Sequence, residues 1–235
     1  AKRNDLPGYY GWLGERGIAV SEQQKDSTFW QPVQVARDNG DCGLQIEKAT
    51  YYLDNISNPI KEISAHYYMA TCYYTSGKKN EALYHYDFIT TKPNNNYFTE
   101  ALKYAGEITF DSENYKLALG HFSTLENVGV TQEDLSLSKR GQMYCFYYLD
   151  NFQSAIIYAK KVLLLNHPND KVVEDANLFL ANSYKEYYDQ FEMEFIDYAD
   201  TDSTYKNKPD GDHGFWVLDR VLQVCGNHDK VKIIN

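Results

Sequence analysis

The side chains that could bind a metal or do covalent chemistry are few and poorly spaced for either. Four cysteines stand at Cys42, Cys72, Cys145 and Cys225. They form no Cys-x-x-Cys pair, so no zinc or dithiol motif results. Lying in helical stretches, they read as small buried hydrophobes rather than as a disulfide. The six histidines are His66, His85, His121, His167, His213 and His228. His85 and His121 occupy equivalent places in an internal repeat, which marks them as architecture rather than metal ligands. Asp210-Gly211-Asp212-His213 is a short acidic turn without the ligand spacing of a calcium loop, as are the carboxylates at Asp197, Asp200 and Asp202. GYYGWLGERG is glycine-rich, but no GxxxxGK[ST] or βαβ unit accompanies it, and GxSxG and HExxH are absent. The expectation is therefore no catalytic residue, no cofactor, no metal and no enzyme.

Composition narrows the partners. The chain has 235 residues and a net charge of −10, with 43% hydrophobic residues and 22 tyrosines. An acidic chain lacks the basic patch that releases phosphate counterions, so nucleic acid is not expected as a partner. An anionic membrane surface is disfavoured for the same reason. The longest aliphatic run, Val162 to Leu165, is far short of the roughly 20 apolar residues that span a bilayer. The start, AKRNDLPGYY, carries neither an initiator Met nor the apolar core of a signal peptide, so cytoplasmic and periplasmic or cell-envelope locations both stay open. Scarce Gly and Pro favour helices over a turn-rich β protein.

These side chains are carried by a repeating element. In Ser64 to Ile89, apolar residues recur at helical spacing through Ala65, Met69, Ala70 and Tyr73, break at Ser76-Gly77, and resume through Ala82, Leu83, Tyr86 and Ile89. A shift of 36 maps Ala70 and Ala82 onto Gly106 and Ala118, and Tyr86 onto Phe122. A further 37 reaches Ala155 and Val162. There Met143 is large where the other units are small, so Gly141 is expected to take over the close helix contact. Another 38 would end near Ala181 and Tyr184, and a shift backwards meets a helix from Leu44 to Asn55, preceded by one from Thr28 to about Arg37. Pro59, Pro93, Pro168 and Pro209 punctuate the unit ends.

This pattern resembles the tetratricopeptide repeat family of helix–turn–helix units. The resemblance rests on Ala70, Tyr73, Gly77, Ala82 and Tyr86, then on Gly106, Tyr115, Ala118 and Phe122, on Phe152 and Ala155, and on Ala181 and Tyr184, with Trp30 as a first-helix aromatic. The stretch MYCFYYLDNFQSAIIYAKKVL also looks like large multi-repeat proteins of Bacteroidetes-type bacteria. The resemblance implies an all-α, right-handed α–α superhelix. Residues 1–26 would be an irregular or degenerate start. Residues 27–235 would hold units at about 27–62, 63–98, 99–135, 136–173, 174–210 and 211–235, with a second helix of the fifth at Phe191 to Ala199 and a last helical pair between Gly214 and Ile234.

In this family the first helices line the concave side. The resemblance thus implies a non-catalytic scaffold whose concave face holds a protein or peptide, through Tyr67, Tyr74, Lys103, Arg140, Tyr144, Tyr147, Asn182 and Lys185. Thr71, Glu107, Phe110, Tyr148 and Leu178 fall on the same stripe. Tyr and Arg are common binding hot spots, although aromatics at helical spacing more often pack than bind. Paired Lys and Asn residues for a peptide-carboxylate clamp are missing. The alternative is a carbohydrate or small-ligand module of a bacterial cell envelope. Self-association through terminal repeats is a further expectation, carried by Phe215, Trp216, Val217 and Leu218.

Overall fold

The computed structural model describes residues 6–165 and 170–201, with side chains as far as residue 190. The helices are α1 (Leu6–Glu15), α2 (Glu22–Asp38), α3 (Cys42–Asn55), α4 (Glu62–Thr75), α5 (Lys79–Thr90), α6 (Phe98–Asp111), α7 (Tyr115–Val128), α8 (Gln132–Tyr148), α9 (Phe152–Leu163) and α10 (Asp170–Thr201). Among the described residues there is no strand. From α2 onward each helix packs mainly on its neighbours in sequence, and first helices also touch across units, α6 on α8 and α8 on α10. The chain is an all-α helical repeat solenoid.

One turn, which also ends α1 at Gly17, recurs after α2, α4, α6 and α8 and sets the period. Gly40, Gly77, Glu113 and Asp150 all have positive φ, at 69°, 76°, 60° and 55°. Each follows a first helix and reverses the chain. The next residue donates its N–H back to a carbonyl five positions earlier, as Lys78 does to Tyr73 at 2.9 Å and Asn114 to Thr109 at 2.9 Å. This is the left-handed helix stop that glycine accepts without strain and Glu113 and Asp150 accept at some cost. In three of the four turns the next residue then caps the second helix with its side chain, Lys78 being the exception. Asp41, Asn114 and Asn151 accept from Leu44, Leu117 and Ser154 N–H groups.

Small residues let the paired helices close. Ala70, Ala82, Ala118 and Ala155 are fully buried. A Cβ on Gly141 would lie 2.5 Å from the Phe122 ring, and one on Gly106 would lie 2.8 Å from it. Gly141 thus provides the close contact that Met143 cannot. Met143 is buried in a separate cluster with Ala159, Val162 and Ala176.

Four features differ from the sequence reading. A helix, α1, lies inside the glycine-rich start, because Leu6, Tyr10 and Leu13 share one face; Leu6 and Tyr10 pack on the first core cluster and Leu13 is buried. Helix α2 begins several residues before Thr28, at a capping box between Ser21 and Gln24, and carries Pro32 in its interior. Helix α10 runs without interruption through the expected boundary before Phe191. The fourth is a disulfide between Cys42 and Cys72, with Cα atoms 5.2 Å apart. The two cysteines are equidistant in sequence from Ser57 in the α3–α4 turn, so the antiparallel pairing of α3 and α4 brings them opposite each other. Cys145 is free and buried as expected, and burial pushes its thiol up to about 12. His167, Pro168, Pro209, the Asp210–His213 turn, the last helical pair with Phe215–Leu218, and Cys225 lie outside the described residues.

Candidate functional site

The first helices α4, α6, α8 and α10 form a continuous layer, and aromatic rings bridge each step. Tyr74 of α4 meets Tyr104 of α6 at 4.8 Å between ring centroids. Phe110 of α6 meets Tyr144 of α8 at 5.9 Å, and Tyr144 meets Phe179 of α10 at 4.7 Å. Apolar and aromatic surface of this kind is buried between units, which is what a repeat that cannot hide its own face requires.

A polar tie accompanies the rings. Tyr67 faces Glu100, Tyr74 faces Glu107 and Tyr144 faces Asp175, each carboxylate acting electrostatically on its phenol. In each case a phenol on one first helix pairs electrostatically with a carboxylate on another first helix, 31 to 33 residues later. The α6–α8 step uses an ion pair instead, between Lys103 and Asp134. Asp134 is buried and also closes the capping box with Thr131 at the start of α8. Burial alone would raise its carboxyl, but the Lys103 and Thr131 bonds win and hold it below the usual Asp value.

The expected site residues are distributed over this layer as follows. Tyr67 is half-buried and stacks on Tyr97 at 4.1 Å. Tyr74, Lys103 and Tyr144 are the ties just described. Arg140 is half-buried on α8, where its charge acts on Glu107 and on Tyr144. Tyr147 packs edge-on to Phe152 at 5.6 Å and to Phe179 at 5.1 Å. Tyr67 and Tyr74 meet α6, and Arg140, Tyr144 and Tyr147 share α8. Asn182 is half-buried on α10, and the exposed Lys185 lies 3.9 Å from Glu186. Of the neighbouring positions, Tyr148 is exposed and stacks on Tyr115 at 4.7 Å, and Leu178 is exposed.

Glu107 is the least comfortable of these carboxylates. Burial first, and Asp111 second, raise its carboxyl above the ordinary Glu value, against the opposite pull of Arg140, Tyr74 and Lys103. The sequence reading missed Glu100, Tyr104, Asp175 and Phe179. The recurrence of a carboxylate one repeat after a first-helix tyrosine was a visible signal for Glu100 and Asp175.

The described histidines pack between helices of a unit or between neighbouring second helices. His66 and His85 face each other with Nδ1 atoms 3.0 Å apart between α4 and α5. His121 of α7 lies 3.4 Å from Asp87 of α5. Among the described residues, no group of three or more His, Cys, Asp or Glu side chains converges as a metal site would require.

The layer, the shared turn and the nearest-neighbour packing can be compared with known structures. The fold is similar to that of the solved structure described as MamA RS-1 ArsTM double mutant. The TM-score is 0.52 at 13% identity, over 73% of this chain and 96% of that one. That neighbour is a tetratricopeptide-repeat-type protein. The fold here is tetratricopeptide-like. The likeness carries this helical repeat fold and not the Bacteroidetes-type resemblance. No protein-family model and no curated protein matches the chain. In this tetratricopeptide-like solenoid, no helix among the described residues is long and apolar enough to cross a membrane.

Proposed function

We propose that this chain is a non-catalytic scaffold that holds a protein or peptide segment along the layer formed by α4, α6, α8 and α10. A tetratricopeptide-like fold supports a protein-interaction role in general. The observation that carries the finer reading is the layer itself. It presents half-buried Tyr74 on α4 and Arg140, Tyr144 and Tyr147 on α8, with Lys103 of α6 between them paired to Asp134. Rigid aromatic side chains supply contact area with few rotatable bonds to freeze, and Arg140 adds a planar donor. The acidic character of the whole chain favours polypeptide over nucleic acid as the partner.

The test is binding by the double variant Arg140→Glu/Tyr144→Ala. Peptide or protein ligands recovered by the wild-type chain should lose about tenfold or more in affinity, the cost of removing one or two hot-spot side chains. Unchanged affinity would move the binding surface to another face.

A further inference from the structure

We propose that the aromatic face beside the α6–α7 and α8–α9 turns docks a polypeptide segment that presents an arginine among apolar side chains. This rests on the reading of the first-helix layer as a polypeptide-binding surface, of which the face is the rim.

Six rings touch one another here, and none is buried. Phe110, Tyr115, Tyr144, Tyr147 and Phe179 are half-buried, and Tyr148 is 46% exposed. Tyr148 joins them. It stacks on Tyr115 at 4.7 Å, and Phe110, Tyr147 and Phe179 meet it at 5.9, 5.6 and 6.4 Å between centroids. Tyr144 closes the group against Phe110 and Phe179. Leu149 and Leu178 extend it, 41% and 56% exposed. Contiguous apolar surface of this kind marks an interaction site, where single scattered apolar residues would not. An incoming side chain reaches these rings directly from solvent.

Charge says what kind of segment fits. The two turns that border the stack carry carboxylates where the earlier turns carry glycine: Glu113 and Asp150 stand at the left-handed positions held elsewhere by Gly40 and Gly77. Their N–H groups bond the Phe110 and Tyr147 carbonyls at 2.9 and 3.1 Å, so the backbone fixes one acidic residue two positions before Tyr115 and the other two positions after Tyr148. Both are exposed, and among the described residues neither is in an ion pair. The cations of the same elements are placed elsewhere. Lys79 pairs with Asp111 at 2.6 Å, and Lys185 lies near Glu186. Arg140 and Lys171 each stand eight residues, about 12 Å of helix, before Tyr148 and Phe179. Lys116 follows Tyr115 directly and so projects from a different side of α7. An aromatic face with an acidic rim suits arginine. Its planar guanidinium can lie on a ring and fork onto a carboxylate at the same time, which an ammonium does less well. The net charge of −10 draws the same partner from a distance.

The experiment uses the full chain and an array of random decapeptides, followed by fluorescence-polarisation titration of the best binders. The binders should share an arginine with an apolar neighbour. Replacing that arginine by citrulline, which keeps the shape and removes the charge, should weaken binding about tenfold or more, the size of a lost hydrogen bond to a charged group. Tyr148→Ala, and Glu113→Gly together with Asp150→Gly, should each weaken it by a similar factor. Glycine suits a left-handed turn, so the double glycine variant should melt no lower than the wild type, which separates lost charge from lost fold. Binders without a common arginine, or affinities indifferent to these substitutions, overturn the docking surface. A photo-crosslinking residue in place of the exposed Leu149 should capture the peptide; capture of residues 202–235 or of a second copy of the chain overturns it too. If binders lose affinity only with Arg140→Glu/Tyr144→Ala, the reading of the layer stands without this rim. If no peptide binds, or binding ignores every one of these variants, both fall.

Discussion

The phenol of Tyr52 donates to Asp26 Oδ1 at 2.5 Å and accepts the backbone N–H of Lys61 at 2.9 Å. The same Asp26 oxygen accepts the N–H of Ile60 at 2.9 Å. Two buried side chains thus tie α2 and α3 to the turn that starts α4. Burial first, and the Asp26 bond second, push the phenol above its ordinary range, so it stays a donor. Tyr52→Phe strands the Lys61 N–H and leaves the buried Asp26 carboxylate with the Ile60 N–H in place of two donors. The expected loss is about 1–3 kcal/mol in urea unfolding. A loss below about 0.5 kcal/mol, the range of an ordinary surface substitution, would show that the tie is not structural.

The Cys42–Cys72 bond joins α3 of one helical pair to α4 of the next. Closing a loop of this size restricts the unfolded chain by about 3–4 kcal/mol in the chain-entropy account. Reductant should lower the melting temperature of the wild type and leave that of Cys42→Ser/Cys72→Ser unchanged. Peptide mapping without reduction should recover the two cysteines linked, and a map showing both as free thiols would contradict the bond.

Burial, and then mutual repulsion with His85, lower His66 to about 4; burial alone lowers His85. The unfolded chain titrates near 6.5, so it takes up protons first as pH falls. Stability from this pair is complete above about 6.5, declines below that, and stops declining once pH drops under the folded value near 4. Asp87 and Glu107, both raised chiefly by burial, act in the opposite sense, so a site-specific probe is preferable. The His66 ring proton in NMR should keep its neutral-form shift from pH 7.5 down to about 5. A midpoint near 6.5 would refute the buried pair. The ring contact with Phe88, at 3.8 Å between centroids, offers a second reporter.

Gly141 faces the Phe122 ring so closely that a methyl group has no room. In an exposed helix, glycine to alanine gains stability. Here Gly141→Ala should instead cost about 1–3 kcal/mol, the price of overpacking. Thermal unfolding beside Gly120→Ala, where a Cβ meets nothing within 4 Å, provides the contrast. Equal effects would mean that Phe122 yields freely.

The repeat was legible because its determinants are local. Small residues at Ala70, Ala82, Gly106, Ala118 and Ala155 recur with the period, and each does in the folded chain what its size allows. The compensation at Gly141 could be anticipated for the same reason. Glu113 and Asp150 concealed the turn, since neither announces a left-handed residue as Gly40 and Gly77 do. The disulfide was obscure because motif spacing says nothing about two helices lying antiparallel; only their symmetric distance from Ser57 foretells it. Among the site residues, periodicity located the first-helix stripe. It could not reveal that Tyr67, Tyr74 and Tyr144 face carboxylates, because those partners come from another unit. Tyr86 was read as core, which its ring is; the orphan hydroxyl emerges only from the packing around it.

The phenol–carboxylate ties have a mechanical consequence. Each spans two first helices and none spans the whole stack, so they act like rungs fastening one coil of a spring to the next. Stretching or twisting the solenoid would strain them together, on the side where a segment would lie. A bound chain that bridges the same rungs would therefore resist changes of pitch, and elasticity under load would differ between the empty and the occupied protein.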